Sequence, residues 1–449
     1  MRKSLFWVGL TLAILAITLF ADLEVGHGTY LWLFTILNLL ILYAARIGRV
    51  SWFYVFMAVF FFLGCWLKVA VHHILDYPYI EPAGNFGGTE EEWRNYYITA
   101  SLIGLALITA RLILGLLEVQ AIKRQRWQMT AGRVTNSEWG LLIFLAAIFY
   151  ALNNIFAFFV TGVDARLVLP FGLNAPLAFM ALIGFAVIVS YYLARDVDAR
   201  GQLGSKGVIA VLLVSAMASV SMASRAAIVM QSVPMLIAAT YVQATMGSRA
   251  VSLRPFFLFG AFLLGVLVLV SVYRINVFSE STAEDTDLLI SYAKQSAMLV
   301  IDRWIGAEAI MVAVSEPTRS MGLMMKLFQE DAASGTSAIY QVLSGSQYEF
   351  LEGLTFLTLP GYFGILGLSG SGFVIFTGTL LLTLAGIFYE CVLRRALFGQ
   401  AICVAIISAA IANAVTQMSF PRLFIPFIFQ MTALVLILHY LSRKRFIRV

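Results

Sequence analysis

The sequence predicts an all-α polytopic membrane protein with about twelve transmembrane helices, and three observations lead to this fold class. Of its 449 residues, 61% are hydrophobic and 12% are charged, and the mean hydropathy is +0.89. Such a composition excludes an ordinary soluble enzyme. The apolar residues fall into runs close to the roughly 20 residues that a span requires. Most Lys and Arg residues lie in alternate connections between these runs, as loops that fix membrane orientation do.

The predicted spans divide the chain into three parts: nine spans in residues 1–273, a large loop in 274–370, and three spans in 371–449. The first run has the basic start of a signal peptide, but its length and the poor cleavage site at Ala21 favour a retained span. Residues 208–242 are too long for one helix and predict a hairpin broken at Ser224 and Arg225. The runs cover residues 4–21, 30–45, 52–71, 97–117, 139–160, 173–194, 208–223, 226–242, 256–273, 371–392, 401–418 and 425–441.

The distribution of positive charge predicts the orientation. An even number of spans places both termini on one side, and a cytoplasmic N-terminus puts 19 of the 30 Lys and Arg residues inside. Ten lie outside or at outer span ends, and Arg111 lies within a span. The large loop between spans nine and ten is therefore external.

The external loop is acidic, with 11 acidic and four basic residues between Ile275 and Gly370. Its centre, residues 296–314, predicts an apolar helix that carries Asp302, Arg303 and Glu308. On a helical wheel Glu308 lies about 120° from Asp302, so these charges do not lie on a single solvent-exposed face. We expect this helix to pack against other protein with its charges in a shared cavity.

Three arginines at outer span ends run against the orientation rule, namely Arg225, Arg274 and Arg422. Arg225 at a hairpin tip costs about 2.5–3.5 kcal/mol if held at bilayer depth unpaired. It reaches the headgroups, pairs with an acidic residue, or binds an anion. Together with Arg303, the three fit a diphosphate, because guanidinium groups match phosphate oxygens in bidentate geometry.

Weaker candidates lie at the outer end of the third span and in the loop. His72 and His73, one turn after Lys68, suit a general base near neutral pH or an interfacial position. Trp304 suits sugar stacking or core packing. Arg111 suits an internal pair or a lipid phosphate.

Missing motifs narrow the chemistry further. There is no P-loop, no H-E-x-x-H and no G-x-S-x-G, and the three cysteines have no metal-ligand spacing. We therefore expect no metal site and no cofactor. The net charge of +6 is explained by the orienting loops, so nucleic acid is not an expected partner.

The chain resembles the O-antigen polymerase (Wzy) group of oligosaccharide repeat-unit polymerases. The resemblance rests on the twelve spans, on S224-R-A-A-I228 at an outer span end, on Y273-R-I-N276 opening a large external loop, and on I301-D-R-W-I-G-A-E-A309. It implies the fold of lipid-dependent membrane glycosyltransferases, acting at the periplasmic face of the bacterial inner membrane. The related O-antigen ligases typically place a His in the large loop, and this sequence has none between Arg274 and Gly370.

The resemblance and the charges together suggest a mechanism. Undecaprenyl-diphosphate-linked glycans are the expected substrates, Arg225, Arg274, Arg303 and Arg422 hold the diphosphate in place of a metal, and Asp302 or Glu308 activates the acceptor hydroxyl. Membrane lipids and a chain-length regulator are further candidate partners. Three alternatives stay open: a ligase that transfers glycan to lipid A core, a flippase or transporter for lipid-linked oligosaccharides, and a scaffold subunit.

Overall fold

The structure is a computed structural model. It describes residues 2–25, 28–45, 51–76, 79, 81–121, 127–129, 133–160, 165–245, 260–262, 265–266, 269–270, 306–332, 338–345, 359–397, 400–442 and 446–448. Most of the predicted ninth span and the first third of the external loop lie outside these residues.

The described part of the chain is built from helices. The first half contains α1 (Arg2–Val25), α2 (Gly28–Ala44), α3 (Trp52–Phe61), α4 (Lys68–Leu75), α5 (Glu90–Ala121), α6 (Asn136–Phe156), α7 (Asn174–Phe179), α8 (Phe185–Arg200), α9 (Ser205–Ser221) and α10 (Arg225–Thr245). The second half contains α11 (Ala307–Ser315), α12 (Met321–Gln329), α13 (Ile339–Ser344), α14 (Gly361–Gly367), α15 (Gly372–Ala396), α16 (Ala401–Gln417) and α17 (Phe424–Ser442).

Two of the long helical stretches contain a π-helical turn. Residues Phe62–Leu67 join α3 to α4, and Met180–Gly184 join α7 to α8. Each stretch therefore continues as one rod with a local change of face, because a π turn adds residues relative to the α-helical repeat.

Among the described residues, seven helical stretches are long and apolar enough to cross a membrane: Phe6–Glu24, Trp52–Leu75, Glu90–Gly115, Asn136–Phe156, Pro170–Arg200, Gly372–Ala396 and Pro421–Tyr440. Four shorter apolar helices, Gly28–Ala44, Ser205–Ser221, Ala226–Val242 and Ala401–Gln417, accompany them. These eleven stretches coincide with eleven of the predicted spans. The fold is thus that of a helical polytopic membrane protein.

Large apolar side chains on these helices face outward. Phe20 on α1, Phe144 on α6, Phe373 on α15 and Phe429 on α17 are each more than half exposed. Rows of such residues are unfavourable in water and favourable against lipid tails. The exposed faces of these helices therefore fit a bilayer environment.

The hairpin predicted at Ser224 and Arg225 is present, with α9 ending at Ser221 and α10 beginning at Arg225. Its tip is bound to α6, because Asn153 Nδ2 donates to the Oγ of Ser221 at 2.8 Å. Ala223 turns the chain in the left-handed region, with φ 49°. Polar groups at this turn are thus satisfied within the protein.

Contacts divide the chain into two compact units. The first comprises Met1–Ile122, Leu299–Phe388 and Ile411–Phe424, and the second comprises Lys123–Met298, Tyr389–Ala410 and Ile425–Val449. The first unit contains α1 to α5 and the short helices α11 to α14. The second contains α6 to α10 and a two-stranded antiparallel ladder of β1 (Trp127–Met129) and β2 (Phe446–Arg448).

One local prediction is wrong. The sequence predicts a single helix over residues 296–314, but the helix of the structure begins at Ala307 and Gly306 precedes it with ψ −45° at an extended φ of 165°. A Cβ at Gly306 would lie 3.0 Å from Cys65 Sγ. The backbone at Gly306 packs closely against the π-helical turn, and residue 306 is therefore not helical.

The short helices α11 and α14 form the centre of the first unit. All residues from Ala307 to Val314 and from Gly361 to Gly367 are buried. Gly364 brings the backbones together, since a Cβ there would lie 2.7 Å from that of Ala309. The central stretch of the predicted external loop is therefore folded into the unit.

Candidate functional site

A buried ion pair joins the third apolar stretch to the external loop. Lys68, the first residue of α4, contacts Glu308 Oε1 in the first turn of α11. The side chains are 0% and 2% exposed. Burial of two charges costs several kcal/mol per ion, and mutual attraction offsets this only when the geometry is close. The pair is therefore a specific feature of the fold.

Local structure on both sides brings the two charges together. The π-helical turn Phe62–Leu67 ends directly before Lys68, and one residue added to a helix shifts the following side chains by about 100° around its axis. Gly306 lets the start of α11 approach this turn. Glu308 then lies near the helix N-terminus, where the backbone dipole favours a negative charge.

Two buried tyrosines lie near the ion pair. Tyr96 on α5 is 0% exposed and donates its hydroxyl to the carbonyl oxygen of Cys65 at 2.7 Å. Tyr340 on α13 is also buried, and burial together with the nearby charges of Glu308 and Glu81 raises its pKa well above the usual value. The hydroxyls and carboxylates form one polar region inside an apolar unit.

Glu308 retains an unused acceptor. Among the described residues, none donates a hydrogen bond to its Oε2. Burial raises the pKa of Glu308, and the positive charge of Lys68 opposes that shift. A buried carboxylate oxygen without a donor costs about 1–3 kcal/mol or more, so its position favours a further polar group as a partner.

The two predicted histidines lie beside this region in different surroundings. His72, one helical turn after Lys68, is buried and stacks on the Tyr79 ring with centroids 4.0 Å apart. His73 Nε2 lies 3.3 Å from the Tyr97 hydroxyl, and its ring meets the edge of Trp93 at 4.5 Å. The structure thus places His72 nearer the ion pair along α4 and ties His73 to α5.

Arg422 has a different kind of environment. It lies in the short turn Pro421–Leu423, is 62% exposed, and its Nη1 is 3.5 Å from Asp331 Oδ2. An exposed pair at this distance contributes at most about 1 kcal/mol. Its guanidinium is accessible, whereas Glu308 is enclosed.

The side-chain positions of the other predicted site residues are not described by the structure. Arg225 begins α10, and the position of its side chain is not described. Arg274, Asp302, Arg303 and Trp304 lie outside the described residues. Of the predicted set, the structure therefore positions Glu308, His72, His73 and Arg422, and it joins Glu308 to Lys68.

The sequence does not single out the tyrosines near the ion pair. Tyr96 and Tyr340 lie among other aromatic residues at span and loop positions, and 14% of the chain is aromatic. A usable signal did exist for Lys68 and Glu308: each lies in a strongly apolar stretch with no other Asp, Glu, Lys or Arg within four positions, and buried charges are usually paired.

Chemically, the site offers a carboxylate, an ammonium group and phenolic hydroxyls in an enclosed setting. In the part of the chain that the structure describes, no group of three or more His, Cys, Asp or Glu residues is arranged to hold a metal ion. The available chemistry is hydrogen bonding, charge stabilisation and proton transfer.

Comparison of the chain with models of known protein families, with curated proteins and with solved structures found no match.

Proposed function

We propose that this chain is a lipid-dependent membrane glycosyltransferase that polymerises undecaprenyl-diphosphate-linked oligosaccharide repeat units. It acts in the bacterial inner membrane, at the periplasmic face, with both termini in the cytoplasm. The proposal rests on the layout of apolar helices and on the sequence resemblance to the O-antigen polymerase group. The main observation in its support is the buried Lys68–Glu308 ion pair. Among the described residues, the Oε2 atom of Glu308 accepts no hydrogen bond.

The location of the pair supports a site on the outer side. Lys68 falls in the second half of the stretch Trp52–Leu75, which runs outward in the proposed orientation. Glu308 comes from the loop between spans nine and ten. Both charges therefore lie on the face where lipid-linked repeat units would be joined.

The proposed reaction is a direct displacement. The acceptor sugar hydroxyl forms a bond to the anomeric carbon of the donor glycan while the bond from that carbon to the diphosphate oxygen breaks. The hydroxyl proton passes to Glu308 or Asp302, and the bonding electrons leave with the diphosphate. Arg225, Arg274, Arg303 and Arg422 stabilise that charge, each contact contributing on the order of 1.5–3 kcal/mol.

The enclosure of Glu308 adds a requirement. A base must come within about 3 Å of the proton that it removes, and a side chain that is 2% exposed is not accessible to a sugar. The proposal therefore includes an opening step in which the start of α11 separates from α4 when the acceptor arrives.

The ladder of β1 and β2 supports the count of twelve spans. Two paired strands must lie on one side of the membrane, so the chain between Met129 and Phe446 crosses it an even number of times. Seven apolar helical stretches lie between them among the described residues. The predicted span at 256–273 supplies the eighth crossing.

Deletion of the gene tests the function through the glycan ladder of lipopolysaccharide. A polymerase predicts lipid A core capped by a single repeat unit, because transfer to core continues without elongation. Bare core with long glycan still on the carrier lipid would indicate a ligase. Bare core without repeat units on the periplasmic side would indicate a flippase, and an unchanged ladder would exclude this glycan as the substrate.

A further inference from the structure

The short helix α12 lies beside the starting points of two membrane spans. Just before α12, Arg319 packs on the backbone that leads into α15, since a Cβ at Gly370 would lie 3.3 Å from Arg319 Cγ. Near the other end of α12, the rings of Phe328 and Tyr362 are 5.8 Å apart. The Tyr362 hydroxyl in turn donates to the carbonyl oxygen of Pro421, at the start of α17, at 3.3 Å. The helix therefore runs between the places where the chain enters α15 and α17.

These two places lie at the same surface of the membrane. The chain between them contains the apolar helices α15 and α16, and two crossings return it to the side from which it started. Phe373 and Ile425, at the two starting points, are 77% and 63% exposed, as side chains that face lipid are. With 9 residues, α12 is about 14 Å long and too short to cross the bilayer. It therefore lies at the level of the boundary between hydrocarbon core and headgroups.

The two sides of α12 differ in chemistry. Met324 and Leu327 face the protein and are 5% and 1% exposed. Met321 and Met325 are 49% and 46% exposed, and their spacing of four residues places them in one row along the helix. Lys326 is also exposed and lies about 100° from Met325 around the helix axis. The outward side of α12 thus has an apolar row and a cationic edge.

Arg319 and Lys326 supply the positive charge of this edge. Both are exposed, and in the part of the chain that the structure describes neither forms an ion pair. The nearest acidic residues along the chain, Glu316 and Glu330, each accept a hydrogen bond from a backbone N–H elsewhere, at 2.9 and 2.8 Å. The two cations are therefore available to an anionic group outside the protein.

We propose that α12 is an in-plane helix that binds the phospholipid surface. Met321 and Met325 enter the boundary of the acyl chains, and Arg319 and Lys326 contact lipid phosphates. Interfacial helices combine an apolar side with cations in this way, and long basic side chains extend to the headgroups while their stems stay beside apolar groups. Phosphates complement the two cations, and acyl chains complement the methionine row. This role is independent of the proposed transferase activity.

Spin labels on single cysteines test the proposal in the full chain, with the three native cysteines replaced by serine. The protein is reconstituted in vesicles of phosphatidylethanolamine and phosphatidylglycerol. A label at Met325→Cys should collide severalfold more often with oxygen, which concentrates among acyl chains, than with a water-soluble nickel chelate. A label at Lys326→Cys should be relaxed by nickel chelated to lipid headgroups. Both positions are exposed, so the substitutions should cost little stability.

Two further labels calibrate the oxygen-to-nickel collision ratio. Phe429→Cys on α17, where the native side chain is 72% exposed, represents lipid, and Asn85→Cys, in the connection between α4 and α5 and exposed, represents water. The ratio at position 325 is expected to approach that at 429 and to exceed that at 85 severalfold. Elution of each labelled variant as a single species on size exclusion establishes that it is folded.

Three results would overturn the proposal. A ratio at position 325 equal to that at 85 would place this side of α12 in water. A label at 325 that neither reagent reaches would show that protein, such as a second copy of the chain, covers the methionine row. Absence of relaxation of the label at 326 by headgroup nickel would show that the cationic edge does not contact lipid phosphates.

Discussion

The buried pair of Lys68 and Glu308 explains most of what is unusual about the first unit. A single charge in an apolar environment is strongly unfavourable, and the two charges reduce that cost only together. Tyr96 and Tyr340, both buried nearby, add polar hydroxyl groups to the region. At the scale of residues, the central question is whether this pair serves stability, chemistry, or both.

A double-mutant cycle measures the energetic coupling of the pair. Lys68→Met and Glu308→Met should each lower the free energy of unfolding by about 3–5 kcal/mol, because the remaining partner is a buried unpaired charge. The double variant should recover at least half of the summed loss. The midpoint of thermal unfolding in detergent, followed by tryptophan fluorescence, reports each value.

The exposed pair of Arg422 and Asp331 serves as the matched control. Arg422→Gln and Asp331→Asn should each change stability by less than about 1 kcal/mol, since both side chains are more than 60% exposed. Additive losses in the Lys68 and Glu308 variants would contradict the assignment of a coupled pair.

At the scale of elements, the packing of α11 against α14 holds Glu308 in place. Both are short, apolar and buried. Their close packing depends on small residues, with Gly364 against Ala309 and Gly367 against Ala313. Close contact of this kind is typical of helices that pack without long side chains between them.

Gly364→Val tests this arrangement. The added side chain must displace α11, because a Cβ at this position would already lie 2.7 Å from the Ala309 Cβ and 3.1 Å from its carbonyl oxygen. We expect a loss of about 1–3 kcal/mol in unfolding free energy. Gly140→Val on α6 is the control, because nothing lies within 4 Å of a Cβ there; equal effects of the two would contradict the packing account.

The sequence predicts most of the helices and part of the site. Long apolar runs determine spans almost directly, and eleven of the predicted spans coincide with apolar helices. Gly306 shows where such prediction fails, since the approach of its backbone to Cys65 depends on a distant π-helical turn. The contact of Lys68 with Glu308 is also long-range, and a helical wheel of either segment gives no information about it.

At the scale of the whole molecule, the strand pairing determines which segments lie on the same side of the membrane. The ladder of β1 and β2 requires the loop after α5 and the chain segment after α17 to share one face of the membrane. In the proposed orientation that face is cytoplasmic. The connection between α4 and α5, which contains Asn85, then lies on the opposite face.

Single cysteines test this topology with a membrane-impermeant maleimide, in a chain whose three cysteines are replaced by serine. Thr130→Cys and Val449→Cys should be labelled only after the cytoplasmic side is opened. Asn85→Cys, at an exposed position, should be labelled in intact cells with a permeable outer membrane. Labelling of positions 130 and 449 from opposite sides would contradict the even number of crossings.

The most direct measurement of the central claim is the lipopolysaccharide glycan ladder of the deletion strain carrying variants at the two ends of α11. Glu308 and Glu316 are both buried glutamates, but Glu316 accepts hydrogen bonds from Thr318 within its own turn. At equal protein levels, Glu308→Gln should give core capped by single repeat units, and Glu316→Gln should retain the long ladder. A full-length ladder with Glu308→Gln would contradict the assignment of this site to polymerisation.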